Sequence, residues 1–132
     1  MSKRATATFE IKGWDEKPYD EMEGGPKLSR ARVNKVFHGD VEGNSALEYL
    51  LVYRQDGTAS FIGFERVVGC LQGRPGTFVL KHEGTFEGGT ATATCSVVPG
   101  SGTGELKALR GQGSFAAGHA QTYPFSLDFE LD

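Results

Sequence analysis

The stretch FVLKHEGTFEGGTATATCSV, residues 78–97, constrains this chain more than any other. Apolar and polar residues alternate on both sides of a Glu-Gly-Gly-Thr turn, and a period of two is the mark of a half-buried strand. Gly-Gly suits a two-residue hairpin loop, because both central positions of the favoured turn need positive φ. Pairing Glu87 with Thr90 puts His82 opposite Cys95. Phe78, Leu80, His82, Gly84 and Phe86 then share a face with Ala91, Ala93, Cys95 and Val97. Lys81, Glu83, Thr85, Thr92, Thr94 and Ser96 take the other face. The first set must be the inside. An imidazole therefore points inward from an otherwise apolar wall.

The same alternation recurs along the chain, and no long stretch keeps apolar residues at helical spacing. Strands are expected near residues 4–12, 29–39, 45–55, 58–71, 76–87, 90–98, 105–117 and 122–131. Most links are too short for crossovers, so the neighbours run antiparallel. Eight meandering strands predict a single all-β domain over 1–132, an up-and-down β-barrel whose closure removes exposed edges, with a β-sandwich as the alternative. The segment GWDEKPYDEMEGGPKL, residues 13–28, is expected to be a long loop capping one end, anchored by Trp14 and Tyr19.

Two further turns set the neighbouring registers. In QDGT, residues 55–58, a two-residue Asp-Gly loop would pair Gln55 with Thr58 and place Glu48 opposite Glu65. Around QGRP, pairing Leu71 with Gly76 would bring Glu65 opposite His82, Phe86 opposite Phe61 and Leu80 opposite Val67. A loop one residue different would turn Glu65 outward towards Lys81 and bring Tyr49, Leu51, Ile62 and Phe64 inside. An apolar outer face on these strands would point to a subunit interface, and so to a homo-oligomer. In the first arrangement Glu48, Glu65, His82 and Cys95 form an inward row, with Lys35 nearby on the face of Ala31, Val33 and Phe37. Two facing carboxylates in a dry lumen cannot both ionise cheaply, so one pKa should rise.

Composition excludes several classes of function. The chain has 132 residues, 38% hydrophobic and 23% charged, as expected of one soluble globular domain. Its 19 glycines are scattered between apolar runs, which fits turns and bulges. A net charge of −3 speaks against a nucleic-acid surface, and Lys27, Arg30, Arg32 and Lys35 read as a solvated strand face. No apolar run reaches membrane-spanning length, and the N-terminus lacks the apolar core of a signal peptide, so no membrane is expected and the cytoplasm is the expected compartment. Cys70 and Cys95 read as small buried hydrophobes. His38, His82 and His119 lack metal-ligand spacing, and neither metal nor cofactor is expected. The glycine-rich PGSGTGELKALRG has no Gly-Lys-Ser/Thr and fits tight turns better than a phosphate cradle.

Four stretches, RATATFEIKGWDEKPYDE, GFERVVG, GRPGTFVLKHEGTFEGG and VVPGSGTGELKALRGQG, together resemble a bacterial family described as domain of unknown function 3224. That family resembles the allene oxide cyclase barrels in fold, and GSGTGELKALRG is similar to a Gly-Thr-Gly segment of plant allene oxide cyclases and dirigent proteins. The resemblance implies an eight-stranded antiparallel barrel with an apolar lumen. Glu65 of FERV and His82 of FVLKHEG fall at positions characteristic of the family.

Three functional readings follow. In the first, the barrel binds a small hydrophobic or aromatic molecule, with Phe61, Phe78, Leu80 and Phe86 as walls, Glu48 and Cys95 beside them and Trp14 at the cap. In the second, it is a cofactor-independent isomerase or cyclase of such a ligand, with Glu65 and His82 as catalytic acid and base. In the third, the core is filled and the barrel works through an oligomer interface.

Overall fold

Alternation carries nearly the whole chain into one sheet. In the computed structural model, which describes residues 2–131, the strands are β1 (Lys3–Asp20), β2 (Lys27–Gly39), β3 (Val41–Tyr53), β4 (Ala59–Leu71), β5 (Arg74–Glu87), β6 (Thr90–Val97), β7 (Thr103–Gly104), β8 (Arg110–Ala117) and β9 (Tyr123–Glu130). Their order is β4-β3-β2-β1-β9-β8-β6-β5, and β4 pairs again with β5. This is the expected closed ring of eight antiparallel strands. The two-residue β7 lies outside it, beside the start of β5. Closure gives every long strand a partner on both sides, though β1 meets β9 only over Lys3–Phe9 and its extension to Asp20 pairs with β2 alone. No helix among the described residues is long and apolar enough to cross a membrane.

The two ends differ. At one, Leu71, Leu106, Phe78 and Val41 are at most 2% exposed and fill the lumen. The glycine-rich segment folds into successive turns there, with Ser101 N donating to Val98 O, Leu106 N to Thr103 O and Leu109 N to Leu106 O. It is a stopper, and the expected strand over 105–117 is confined to β8. Leu106 packs over Gly76, where an added Cβ would lie 3.1 Å from its Cγ. The other end carries the β1–β2, β3–β4, β5–β6 and β8–β9 turns and is open.

Residues 13–28 are not a loop. β1 continues to Asp20 and pairs with β2 as far as Leu28, so the connection is only residues 21–26. The register shifts between Ile11, opposite Lys35, and Gly13, opposite Asn34, which makes Lys12 the extra residue of a β-bulge. The bulge hides the strand from a period-two reading, because it reverses which parity faces inward. Ala5, Ala7 and Phe9 are buried before it, and Trp14 turns to the same side after it.

Two of the three expected registers are corrected. Between β3 and β4, Arg54 N donates to Thr58 O at 2.8 Å, so the loop is the three residues 55–57. Gly57 adopts φ +90° at the left-handed position such a loop requires. The one-residue change puts Leu47 opposite Glu65 and sends Glu48 outward, opposite Phe64. Between β4 and β5 the loop is Gln72-Gly73, with φ +48° and +82°, and Leu71 pairs with Arg74. His82 therefore lies opposite Gly63, Glu65 opposite Leu80 and Phe86 opposite Ala59. That change is two residues, so every face is kept. Gly88 and Gly89 form the β5–β6 turn, and His82 pairs with Cys95 as expected. The outcome mixes the two alternatives: Glu65 is inside with Tyr49 and Leu51, while Ile62 and Phe64 are outside and exposed. With Leu50 and Val68 they make the outer face of β3 and β4 apolar.

Candidate functional site

At the waist of the barrel, five neighbouring strands each turn one polar or sulfur-bearing side chain inward. They are Lys35 of β2, Ser45 of β3, Glu65 of β4, His82 of β5 and Cys95 of β6, all at most 5% exposed. Lys35 pairs directly with Ser45, and His82 with Cys95. Glu65 is the hub. His82 Nε2 lies 2.6 Å from Glu65 Oε1, the Ser45 hydroxyl donates to Glu65 Oε2, and the Lys35 ammonium stands 3.6 Å from the same oxygen. With Nε2–H given to the carboxylate, His82 Nδ1 is left to accept from the Cys95 thiol at 3.5 Å. Buried polar groups need such partners, and Ser45, Glu65, His82 and Cys95 find them in one another, while Lys35 has only the ion pair.

Burial pushes the Glu65 carboxyl up, but the Lys35 ammonium, the His82 hydrogen bond and the Ser45 hydroxyl outweigh it and bring the pKa down to about 2. The expected raised carboxylate is thereby corrected. It required Glu48 inside, and Glu48 instead faces solvent, 3.5 Å from Arg32. Burial and the nearby Glu65 charge push the Cys95 thiol up to about 12, which leaves no thiolate nucleophile at neutral pH.

Aromatic rings separate this belt, Lys35 excepted, from the open end. The Tyr49 ring stands edge-on to His82 at 5.7 Å and to Phe61 at 4.8 Å, and Phe115 covers His82 at 5.6 Å. Tyr49 can take this position because Gly63, opposite His82, has no side chain. A Cβ there would strike the Glu48 carbonyl and lie 2.8 Å from the Tyr49 ring.

Beyond the rings the lumen opens into a cavity of about 310 Å³. Phe9, Tyr49, Phe61, Phe86 and Tyr123 contribute walls, and Lys35 is the one charged residue in its lining. At the rim Trp14 Nε1 donates to Glu16 Oε1 at 3.0 Å, and the Tyr53 hydroxyl donates to Glu16 Oε2 at 2.6 Å. Glu16 thus ties the bulged part of β1 to β3 across the mouth. A larger depression of about 640 Å³ is shallower and runs over threonine-rich outer faces, including those of β5 and β6.

Of the residues expected to bind a ligand, Trp14, Phe61 and Phe86 line the cavity. Phe78 and Leu80 do not: they are 2% and 0% exposed and pack in the filled part of the barrel. Glu48 is on the outside. Glu65, His82 and Cys95 come together as expected but are sealed beneath the rings. Sequence reasoning missed Ser45, Glu16 and Tyr53. Ser45 was accessible in principle, since it shares the parity of Leu47, Tyr49 and Leu51 once the β3–β4 loop is three residues long. Among the described residues no group of three His, Cys, Asp or Glu is placed to hold a metal ion.

These features define a class: a closed antiparallel barrel, plugged at one end, open at the other and belted at the waist by a buried ion pair. The chain belongs to the family described as Protein of unknown function (DUF3224), whose model matches residues 5–129. It is similar to a crystal structure of a protein of unknown function from that family in Shewanella oneidensis MR-1. The two share 29% identity over 100% of this chain and 99% of the other, with a TM-score of 0.81. No curated protein matches. The glycine-rich segment GSGTGELKALRG forms the stopper of the closed end, away from the cavity.

Proposed function

We propose that the barrel binds one small hydrophobic or aromatic molecule in its open end. The observation that carries this reading is the apolar cavity of about 310 Å³ held open between the aromatic layer and the rim. That volume is at the lower end of the range used for small ligands, and concave, mostly apolar sites with few polar groups are the usual form of such pockets. A filled core would have left no such space. The enzyme reading has less support. Glu65 and His82 are 0% and 1% exposed, and a carboxylate held to about 2 is a weak general base at neutral pH.

Native mass spectrometry of the purified protein tests the proposal. The expected result is a one-to-one adduct with a small apolar molecule, retained from the expression host or added, and absent in Ala91→Phe, which fills the cavity. Equal adduct formation by the filled variant would contradict it.

A further inference from the structure

We propose that the ligand carries an uncharged oxygen acceptor, a ketone, lactone or quinone carbonyl on an aromatic or alicyclic frame, and that Lys35 donates to it. This deepens the ligand-binding reading and rests on it. The argument starts from the three N–H donors of Lys35. The side chain is 3% exposed and lines the cavity. Its Nζ lies 4.2 Å from the centroid of Phe9 and 5.0 Å from that of Phe115, so two ring faces hold it in place. Its nearest counter-charge, Glu65 Oε2 at 3.6 Å, is beyond a good hydrogen bond. Each Glu65 oxygen already accepts one hydrogen bond, from His82 or from Ser45. The ammonium is therefore matched in charge but not in hydrogen bonds, and the cavity is where an acceptor could meet it.

Charge decides which acceptor fits. Glu65 already neutralises Lys35. A ligand carboxylate would bring a second anion beside Glu65 in a water-poor site, where like charges repel strongly. A carbonyl oxygen adds an acceptor without adding charge. An apolar molecule of the same shape would leave the Lys35 donors unmet.

The test uses three probes of one frame, 2-acetylnaphthalene, 2-naphthoate and 2-ethylnaphthalene, titrated calorimetrically into the full-length protein. The expected result is that the ketone binds at least tenfold more tightly than the hydrocarbon and the carboxylate, and that its advantage over the hydrocarbon vanishes in Lys35→Met. The Lys35→Met/Glu65→Gln double variant keeps the belt neutral and gives the same comparison if the single variant does not fold. Ketone and hydrocarbon binding equally well, or naphthoate binding best, would overturn the assignment to a carbonyl while leaving ligand binding intact. No binding by any of the three would overturn the ligand-binding reading, and the carbonyl assignment with it.

Discussion

At the scale of single residues, Glu65 organises the molecule. A buried ion pair is weak evidence of net stabilisation, but removing one partner leaves a bare charge and typically costs about 3–5 kcal/mol. Glu65→Gln should therefore destabilise by about that much through the stranded Lys35. The Lys35→Met/Glu65→Gln pair should lose far less than the two single variants summed, as measured by urea unfolding in a double-mutant cycle. The sign of the pH dependence follows from the lowered pKa. Glu65 titrates near 4.5 when unfolded and about 2 when folded, so its contribution is complete above about pH 5 and is lost as pH falls towards 2. The stability gap between wild type and Glu65→Gln should narrow across that window; a constant gap would mean that Glu65 is not held as a buried carboxylate. Cys95 offers a second check. With its thiol pushed up to about 12 and 3% exposed, it should resist iodoacetamide in the native protein at pH 8, while half-buried Cys70 is modified. Peptide mapping distinguishes the two.

At the scale of elements, turns explain which registers were legible in the sequence. Gly88 and Gly89 both take positive φ in the two-residue loop that Gly-Gly favours, so the β5–β6 pairing and the inward His82 could be read directly. Asp56-Gly57 looks like a two-residue loop, but Asp56 accepts from Thr58 N at 3.0 Å and helps hold a three-residue loop, so Glu48 was misplaced by one position. Gln72-Gly73 was overlooked because Gln is an unusual residue at φ +48°. This predicts that Gln72→Asn, which relieves strain at the left-handed position, raises stability by about 0.5–1 kcal/mol in thermal unfolding. Unchanged or lower stability would contradict the turn assignment. The β1 bulge at Lys12 was invisible for a comparable reason. An extra residue breaks the period, and Gly, Pro and acidic residues after it look like a loop.

At the scale of the whole molecule, the barrel was legible because nearly every strand alternates and the chain meanders. What alternation could not show is how far along its axis the lumen is filled. Phe61 and Phe78 have the same inward parity, yet one lines a cavity and the other a packed core. Depth is set by the stopper at Leu106 and by the ring layer of Tyr49 and Phe115, which are contacts between residues far apart in sequence. The candidate site divides in the same way: the waist belt was partly visible as inward Lys35, Glu65, His82 and Cys95, whereas the sealing of all but Lys35 from the cavity was not.

The proposed ligand site is the open half of the barrel. The chain's single tryptophan, Trp14, lines that cavity and reports on its contents. Titration with 2-acetylnaphthalene, followed by Trp14 emission, should give a saturable one-to-one change in the wild type that is lost in Ala91→Phe. A linear, non-saturating change of equal slope in both proteins would contradict the claim.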